Sequence, residues 1–297
     1  MLSDSTDHST SHKTIDLHTH SDMSDGTLTP SELVKAAHAE GICAIALTDH
    51  DTVKGIDEAL AAGKEFGVEV IAGVEFSAYY GCELHIIGLF IDHKSKELIK
   101  TLSFLNENRK NRNLLIIEQL AKLGFKIDLN ELPPEDGKTI TRAHFARLLV
   151  EKGYCSNISE AYNKYIGFGK PAYVPSDRLT PDECIKLIHR AGGLAFLAHL
   201  NQINVDDSSD LINLVSDLKE IGLDGLEGYY FEYDEEWEQT CEELAEIFDL
   251  AVCGGSDFHG DNKKNELGKI GDDKTIDYLM LKKLKKRLEP IDIEDIV

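Results

Sequence analysis

The sequence of 297 residues predicts an α/β protein in which about seven strands and the helices between them build a barrel-like sheet. Three observations lead to this prediction. Short apolar runs of strand length alternate with helices that carry capping signals, the alternation stops at Ser95 and resumes near Pro171, and several strands end in histidine and aspartate. Such alternation favours a parallel sheet closed into a barrel over an open sheet, and the interruption indicates an inserted helical subdomain.

The first part of the chain supplies four of the predicted strands. The sequence TPSE at residues 29–32 offers an N-cap, a proline at the first helical position and a glutamate three residues after the cap, and Gly41 ends that helix. Strands are predicted at residues 15–20, 42–47, 68–72 running into 73–77, and 83–90, with a second helix at 56–66.

The middle of the chain is predicted to be helical. A long amphipathic helix begins at Ser95 and ends at Leu123, a Pro133-Pro134 loop follows, and two shorter helices are predicted at 142–152 and 158–166. We therefore expect a helical insertion at residues 95–170 that covers the active site, between barrel segments 14–94 and 171–297. Residues 1–13 are expected to form a disordered tail.

The last part of the chain repeats the pattern of the first. The sequence TPDE at 180–183 is a second capping signal, and the helix that it starts extends to Ala191. Strands are predicted at 194–198, 223–228 and 250–253, with helices at 210–220 and 234–248. The strand at 223–228 carries a lone acid, Glu227, and the last strand leads into GGSDFH at 254–259.

Composition limits the classes of partner. The 54 acidic residues outnumber the 31 basic ones, and the resulting charge of −23 argues against binding long nucleic acid or an anionic membrane. No apolar run could span a bilayer and no secretory signal is present, so we expect a cytoplasmic protein. The six cysteines are scattered without a CxxC pair, which indicates reduced thiols and argues against a thiolate zinc site. The sequence does not predict an oligomeric state.

Half of the twelve histidines fall on or just after predicted strands. They are His18, His20, His50, His85, His199 and His259. The carboxyl ends of parallel strands meet at one face, so these side chains can converge. Imidazoles and carboxylates without thiolates suit Mn²⁺, Fe²⁺ or Zn²⁺, and this many ligands exceed one coordination sphere. The pattern predicts a multinuclear metal site, whereas His38 and His189 lie within helices and are expected to be structural.

Six motifs together resemble those of the PHP phosphoesterase family, named for polymerase and histidinol phosphatase. They are DLHTHSDMSDG (16–26), TDHD (48–51), GVEFS (73–77), LHIIGLF (84–90), AHL (198–200) and GGSDFH (254–259). Within that family the chain is most similar to stand-alone bacterial nucleoside bisphosphate phosphatases. Their helical insertion resembles TRAHFARLLVEKGY (141–154) and GKPAYVP (169–175) here.

The resemblance implies a distorted seven-stranded, TIM-like barrel that holds three divalent metal ions. Carried over by motif, the first metal would be held by His18, His20, Glu75 and Asp257, the second by Glu75, His85 and His199, and the third by Asp25, His50 and His259. Glu75, Asp257 and His199 would have catalytic roles. No ligand position departs from the family's pattern. Independently of the resemblance, a bridging carboxylate such as Glu75 can keep two cations close enough to act on one phosphoryl group.

Further residues are candidates for binding substrate or supporting the metal ligands. Arg142 and His144 open a helix of the insertion, where an arginine could clamp a second phosphate, and Lys170 and Arg178 are weaker candidates. Tyr229 and Tyr230 could stack on a base or could simply pack. Asp49 and Asp51 flank His50 and could either orient its ring or cap the helix that begins at Ile56.

The leading functional hypothesis is a metal-dependent phosphomonoesterase that removes the 3′-phosphate from a nucleoside 3′,5′-bisphosphate by attack of metal-bound hydroxide. Two alternatives in the same class are a 5′→3′ exoribonuclease acting on short RNA and a histidinol phosphatase. A non-enzymatic metal-binding module is improbable, because the ligand set is complete. The expected partner is a small phosphorylated nucleoside or short oligonucleotide.

Overall fold

The computed structural model describes residues 13–132, 138–175, 177–204, 207–271 and 274–288. The predicted N-terminal tail lies outside these residues except for Lys13, and so does the predicted Pro133-Pro134 loop. Among the described helices, none has both the length and the hydropathy that crossing a membrane requires.

The described residues form an α/β fold around one eight-stranded sheet. The strands are β1 (Thr14–Thr19), β2 (Ala44–Leu47), β3 (Glu69–Tyr80), β4 (Cys82–Leu89), β5 (Leu194–Leu197), β6 (Gly225–Tyr230), β7 (Ala251–Gly255) and β8 (Ile276–Asp277). They lie in the order β7-β6-β5-β4-β3-β2-β1-β8. The seven predicted strands are confirmed, and the short β8 is an addition that the sequence analysis did not predict.

Helices cover the outside of the sheet and build the insertion. They are α1 (Pro30–Ala39), α2 (Ile56–Phe66), α3 (Lys96–Lys122), α4 (Arg142–Glu151), α5 (Ile158–Ala161), α6 (Pro181–Arg190), α7 (Ser208–Glu220), α8 (Glu235–Ile247) and α9 (Tyr278–Leu288). A π-helical turn at Tyr162–Ile166 continues α5, so the predicted helix at 158–166 is present with a changed pitch. The C-terminal helix α9 was not predicted.

The sheet is mixed, and the expectation of a parallel barrel is wrong for the predicted strand β4; the added β8 also runs antiparallel to β1. Strand β4 runs antiparallel to both β3 and β5. The cause is the connection, because β3 and β4 are joined through Gly81 alone, which has a φ of 71°. A connection this short can join only antiparallel strands. The reversal brings the beginning of β4, where His85 lies, to the edge at which the parallel strands end.

The barrel is nearly closed between β1 and β7. The backbone of Thr19 bridges Phe258 in parallel, and the N–H of His20 donates to the Phe258 carbonyl at 2.9 Å. The buried carboxylate of Asp16 accepts hydrogen bonds from the backbone N–H groups of Ser256 and Gly268 at 2.9 and 2.8 Å. The Asp16 side chain of β1 therefore binds the chain segment that follows β7 and helps to close the barrel.

Hydrophobic packing occupies both faces of the sheet. Ile45 and Leu47 pack with outer-helix residues such as Leu33. Ala44 and Ala46 alternate with them along β2 and belong to a second cluster, which fills the barrel interior. Other members of this cluster are Ile71, Ile87, Phe196 and the α9 residues Leu281 and Leu284. The metal-ligand candidates lie at the carboxyl end of this interior.

The insertion has its own buried cluster. Ile116 and Leu120 of α3 pack there with Phe145 and Leu149 of α4. The beginning of α3 belongs to the barrel instead, because Leu98, Leu102 and Leu105 are part of the cluster beneath the outer helices. A single long helix thus connects the two cores.

Candidate metal centre and the arginine cavity beside it

The first two ligand candidates extend from β1 into the barrel. A register shift between Asp16 and Thr19 marks a bulge in β1, which re-aims the side chains that follow it. His18 and His20 are fully buried, and their Nε2 atoms lie 3.1 Å apart. Gly255 of β7 allows β7 to lie close to β1 at this point, because a Cβ there would lie 2.4 Å from the backbone nitrogen of His18. The two imidazoles meet at one point, as the alternation at residues 15–20 predicted.

Glu75 of β3 lies at the centre of the histidine group and is only 1% exposed. Its Oε1 lies 2.8 Å from Nδ1 of His85 and 3.0 Å from Nε2 of His199. Its Oε2 lies 3.0 Å from Nδ1 of His50 and 3.2 Å from Nε2 of His20. The two oxygens therefore face different histidines, which is the arrangement that a bridging carboxylate requires.

Asp25 and Asp257 bring the remaining ligand candidates together. Oδ1 of Asp25 lies 3.2 Å from Nε2 of His259, and its Oδ2 lies 3.8 Å from Nε2 of His50. Oδ1 of Asp257 lies 3.3 Å from Nε2 of His20. All nine residues predicted as metal ligands thus lie in one continuous cluster at the strand ends.

Three overlapping groups of the described residues have ligand atoms close enough to hold a metal ion. They are His20, Asp25, His50 and His259; His18, His20 and Glu75; and His50, Glu75 and His85. In this arrangement His20 and His50 each belong to two groups, whereas the family resemblance assigned each to one metal. The number of metals and the assignment of ligands to them stay predictions.

Three buried polar atoms of the cluster lack hydrogen-bond partners among the described residues, and this indicates whether the cluster could bind a cation. Oδ1 of Asp25, Nδ1 of His50 and Oε2 of Glu75 are buried, and none has a hydrogen-bond partner in the described structure. Buried polar atoms are nearly always paired, so an unpaired donor set of imidazole and carboxylate is costly unless it binds a cation. The cluster fits divalent metal.

Electrostatics keep the carboxylates anionic. Burial alone would raise the pKa of Glu75, but the surrounding histidines, led by His50 and His85, outweigh it and hold the pKa well below its usual value. For Asp25 burial is likewise outweighed by His50 and His259, and its pKa is well below the usual range. Burial lowers the pKa of His259 to about 4, with help from Lys263. The neutral imidazole of His259 and the ionised carboxylates are therefore in the forms that bind metal.

Glu227 supports two of the ligand candidates and was given no role in the sequence analysis. Its side chain is fully buried, with Oε1 2.7 Å from Nδ1 of His18 and Oε2 accepting the backbone N–H of His199 at 2.7 Å. His199 has a φ of 28° and Asp257 a φ of 52°, a region that non-glycine residues rarely adopt. The only sequence signal for Glu227 was an acid within an otherwise apolar strand.

Asp49 and Asp51 have roles other than the two that the sequence analysis considered, which were orienting the His50 ring and capping the helix at Ile56. Asp49 accepts hydrogen bonds from Ser21 and Ser24, and so holds the loop that carries Asp25. Asp51 pairs with Arg109 of α3. The predicted capping role is wrong, because Gly55 is the N-cap of α2. Neither carboxylate hydrogen-bonds the His50 ring within the described structure.

A small cavity of about 80 Å³ adjoins the metal-ligand cluster and is lined by four arginines. We refer to it as the arginine cavity. Its walls include the ligand candidates Asp25, His50 and His85, together with Glu83 of β4. The arginines are Arg109 and Arg112 of α3, Arg142 of α4, and Arg178.

The arginines are only partly neutralised by the protein. Nη2 of Arg142 lies 2.8 and 2.7 Å from the two oxygens of Glu83, and Nη2 of Arg178 lies 3.0 Å from the same carboxylate. Arg109 pairs with Asp51. Arg112 is 4% exposed, and within the described residues it hydrogen-bonds only neutral oxygens, Asn113 Oδ1 and the Ile140 carbonyl. Burial, together with the neighbouring Arg142 and Arg178, lowers the pKa of Arg112 to about 10.

The predicted substrate residues have different positions. Arg142 lines the arginine cavity. His144 instead accepts the backbone N–H of Thr141 at 3.1 Å in the capping box of α4, and burial lowers its pKa to about 4. Lys170 is exposed and is not among the residues lining the cavity. Arg178, which was a weaker candidate, does line it.

Residues that the sequence analysis missed come mainly from α3. Arg109 and Arg112 were treated as part of a polar amphipathic helix, but both are buried on its inner side. A period-3.6 reading could have found them, because they lie three apart on the face that also carries Leu105 and Ile116. Lys263 was also missed; it forms an ion pair with Asp257. Tyr230 donates to the same carboxylate at 3.0 Å, so it serves the centre as a hydrogen-bond donor.

A nearly closed barrel with a buried histidine and carboxylate cluster at the strand ends defines a metal-dependent hydrolase, here one that acts on phosphoester bonds. Residues 16–259 match the PHP domain, and the chain belongs to the PHP family.

Relatives and a solved structure agree with this assignment. A 5′-3′ exoribonuclease of Haemophilus influenzae is 39% identical over 258 residues, which is 86% of this chain and 94% of the relative. A 3′,5′-nucleoside bisphosphate phosphatase of Chromobacterium violaceum is 33% identical over 248 residues, covering 82% of this chain and 87% of the relative. A solved structure described as an amidohydrolase from Chromobacterium violaceum, with bound sulfate, superposes with a TM-score of 0.82 at 30% identity, covering 95% and 99% of the two chains.

Proposed function

We propose that the protein hydrolyses the phosphoester at the 3′-oxygen of a small nucleotide that also carries a 5′-phosphate. The smallest such substrate is a nucleoside 3′,5′-bisphosphate, and the products are a 5′-nucleotide and phosphate. One observation carries the proposal: the arginine cavity shares Asp25, His50 and His85 with the metal-ligand cluster. A substrate with two phosphates can therefore have one at the cluster and one among the arginines.

Charge supports an anionic occupant of the arginine cavity. Four guanidinium groups line it, and two carboxylates, those of Glu83 and Asp51, pair with three of them. Asp25 also lines the cavity, and its charge is assigned to the metal ions that it would hold. The remaining excess of about two positive charges matches a phosphate monoester, which carries about two negative charges at neutral pH. Arg112 in particular is a buried cation whose partners are neutral. Arginine forks bind phosphate oxygens bidentately, which selects for a phosphate over a single charge.

Nine residues would hold the metal ions: His18, His20, Asp25, His50, Glu75, His85, His199, Asp257 and His259. Bound divalent cations would supply Lewis acidity at the phosphoryl oxygens and an activated water at neutral pH. The three overlapping ligand groups support three cations, and the nitrogen and oxygen donors suit Mn²⁺, Fe²⁺ or Zn²⁺.

The chain's own residues prepare the site for this chemistry. Glu75 stays ionised and offers one oxygen to each side of the cluster. Glu227 fixes the proton of His18 on Nδ1, which leaves the Nε2 lone pair directed at the cluster. Arg109, Arg112 and Arg142 would orient the phosphate that does not react, while the insertion excludes water.

A 5′→3′ exoribonuclease acting on short RNA is the second candidate. In an oligonucleotide the 3′-phosphoryl group of the first residue is esterified to the next nucleotide, so the same two phosphates lie at the same spacing. The 39% identical relative that carries this name supports the candidate, because the alignment spans 94% of that protein. No observation favours histidinol phosphate, which has a single phosphate and would leave the arginine cavity unused.

The experiment compares substrates that differ by one phosphate. Phosphate release would be measured for adenosine 3′,5′-bisphosphate, 3′-AMP, 5′-AMP and histidinol phosphate, with Mn²⁺ and after chelation, and mononucleotide release for a 5′-phosphorylated trinucleotide. We expect chelation to abolish turnover and the bisphosphate to exceed 3′-AMP at least tenfold in kcat/KM, since a charge-assisted contact contributes on the order of 1.5–3 kcal/mol. Equal kcat/KM for the bisphosphate and 3′-AMP would remove the arginine cavity from the proposal.

A further inference from the structure

Three hydroxyl groups line the arginine cavity besides its four arginines, and they come from Ser77, Thr141 and Tyr162. Two of them have partners in the protein: Ser77 Oγ accepts from Arg109 at 3.3 Å, and Thr141 Oγ1 donates to Asp25 at 3.0 Å. The hydroxyl of Tyr162 makes no hydrogen bond with any residue in the described part of the chain. It is therefore a donor at the cavity wall that is available to a ligand.

The surroundings of Tyr162 keep its hydroxyl protonated. Burial raises the pKa of Tyr162 to about 12; the positive charge of Arg142 opposes this shift, and the carboxylates of Asp25 and Glu83 add to it. The charges that act on the hydroxyl belong to residues of the cavity wall, which agrees with its position there. At neutral pH the group is an uncharged donor, so unlike the arginines it needs no carboxylate partner inside the protein.

The position of Tyr162 depends on the π-helical turn Tyr162–Ile166, in which it is the first residue. The turn closes with a hydrogen bond from the N–H of Gly167 to the Tyr162 carbonyl, which is 2.9 Å long. A Cβ on Gly167 would lie 2.4 Å from that oxygen, so glycine allows this closure without a shift of the backbone. Single π-helical turns are rare and often occur at functional sites. The sequence thus supplies a local cause for the position of Tyr162.

The ring of Tyr162 bounds the arginine cavity on the side of the insertion. It packs against the buried cluster of the insertion, which contains Phe145 and Leu149 of α4 and Ile166. The cavity has a volume of about 80 Å³, and a water molecule takes up about 30 Å³ in the liquid, so the space suits one phosphoryl group and not two in a row. A ligand group that extended further on this side would have to displace the packed ring.

We infer that Tyr162 is a specificity-determining residue, whose hydroxyl donates to the phosphate that does not react and whose ring limits that end of the substrate to a single phosphate. This inference rests on the proposed function, since it needs a nucleotide that has its 5′-phosphate in the arginine cavity. A terminal phosphate has only acceptor oxygens when it is fully ionised, and the arginine forks and the hydroxyl can share them. In a 5′-diphosphate one of these oxygens is the bridge to a second phosphate, which exceeds the volume of the cavity.

The first test removes the hydroxyl and keeps the ring. In Tyr162→Phe, KM for adenosine 3′,5′-bisphosphate should rise about tenfold while kcat changes less than about twofold, because a hydrogen bond to a charged group is lost. The value of kcat/KM for 3′-AMP, which lacks the 5′-phosphate, should stay within about twofold. Tyr165→Phe is the matched control, because Tyr165 belongs to the same π-helical turn, packs against Phe125 and is not among the described residues that line the cavity.

The second test shortens the wall. The unmodified protein should prefer adenosine 3′,5′-bisphosphate over adenosine 3′-phosphate 5′-diphosphate by about tenfold or more in kcat/KM. Tyr162→Leu keeps an apolar side chain against the insertion cluster but vacates the outer end of the ring, so this preference should narrow by about threefold or more. The ratio of two substrates on one preparation does not depend on the fraction of folded protein, so a loss of stability in this variant does not affect the result.

Binding of 5′-AMP gives a readout without turnover, because this nucleotide carries only the phosphate that is assigned to the arginine cavity. Calorimetric titration of the chelated protein should give a Kd for 5′-AMP that rises about tenfold in Tyr162→Phe and stays unchanged in Tyr165→Phe. Melting temperatures of the variants would show that each is folded.

The outcomes separate this inference from the proposed function. If the unmodified protein does not prefer the bisphosphate over 3′-AMP, the proposed function is refuted. If it does, and Tyr162→Phe leaves KM for the bisphosphate and Kd for 5′-AMP unchanged, the hydroxyl takes no part in binding and the inference is overturned. An equal loss on the bisphosphate and on 3′-AMP would also overturn it, since such a loss indicates a general disturbance of the site. Equal kcat/KM of the unmodified protein for the bisphosphate and the 5′-diphosphate would overturn the limit to a single phosphate.

Discussion

The barrel and the insertion contribute to the site in different ways. The barrel provides histidines and carboxylates from strand ends, on short side chains held by Glu227 and by unusual backbone at His199 and Asp257. The insertion provides long arginines from helices, whose positions are set by carboxylates such as Glu83. The contrast is the division of labour that the proposed function requires, in which the barrel would hold metals for chemistry and the insertion would recognise a phosphate. The two parts can therefore be altered separately.

The largest effect is expected on the barrel side from Glu75→Gln. The amide keeps the size of the side chain but removes the charge that both sides of the cluster share, so kcat should fall on the order of 1000-fold. Metal content by elemental analysis should fall with it, while the melting temperature in chelator stays within a few degrees. A suitable control is Glu69→Gln on the same strand, since Glu69 pairs with Lys285 away from the cluster. Near-normal kcat in Glu75→Gln would contradict the bridging role.

On the insertion side, Arg112→Met should change recognition and leave chemistry intact. KM for adenosine 3′,5′-bisphosphate should rise about 10- to 100-fold, because one charge-assisted contact is lost, whereas kcat should change little. Values for 3′-AMP and the metal content should be unaffected. Arg190→Met, at an exposed arginine paired with Glu97, is the matched control. A parallel loss on 3′-AMP would mean that Arg112 serves the cluster and not the second phosphate.

A subtler change on the barrel side is Glu227→Gln, at a residue that is not itself a metal-ligand candidate but contacts two of them. Without the carboxylate, Nδ1 of His18 and the backbone of His199 are held less firmly, and apparent metal affinity should fall about 10- to 100-fold. Titration of apoprotein with Mn²⁺ would measure this, and saturating metal should restore most of the activity. A loss of kcat that excess metal does not restore would argue for a direct part in chemistry.

The smallest effect concerns a histidine outside both parts of the site. His189 of α6 has its pKa raised by the hydrogen bond to Asp224, which is 2.7 Å long. A raised folded-state pKa contributes stability that is present below the unfolded value of about 6.5 and is lost as pH rises through the folded pKa. His189→Gln should therefore lower the melting temperature by about 1 °C at pH 5.5 and not at pH 9, because the pair is partly solvated. A pH-independent difference would assign His189 a packing role alone.

The sequence predicted the barrel side of the site more completely than the insertion side. The six metal-ligand histidines were predictable because they lie on or just after strands, and strand ends of an α/β barrel lie at one face. The carboxylates Asp25, Glu75 and Asp257 were assigned as ligands by the family's motifs. The antiparallel direction of β4 was harder to predict, since it depends on the single residue Gly81 between two strands that otherwise look alike. Glu227 was visible but unassigned, because which buried group an acid will meet depends on strands that are distant in the sequence.

The arginine cavity was only partly predictable. Arg142 was found because a capping signal places it at the start of a helix. Arg109 and Arg112 lie inside a helix that has polar residues on most of its surface, so their inward direction depends on how α3 crosses from the barrel core to the insertion core. Neither strand β8 nor helix α9 was predicted, and β8 has two residues, too few to give a periodic signal.

The hydrogen bonds of Asp16 have a consequence for synthesis of the chain. They join residue 16 to residues 256 and 268, so the barrel cannot close between β1 and β7 until most of the polypeptide has left the ribosome. Until then β1 presents an unpaired edge to the cell, and two of the ligand candidates, Asp257 and His259, have not yet been made. A nascent chain that captured metal early would do so with an incomplete set of ligands. We therefore expect full metal loading to follow completion of the chain.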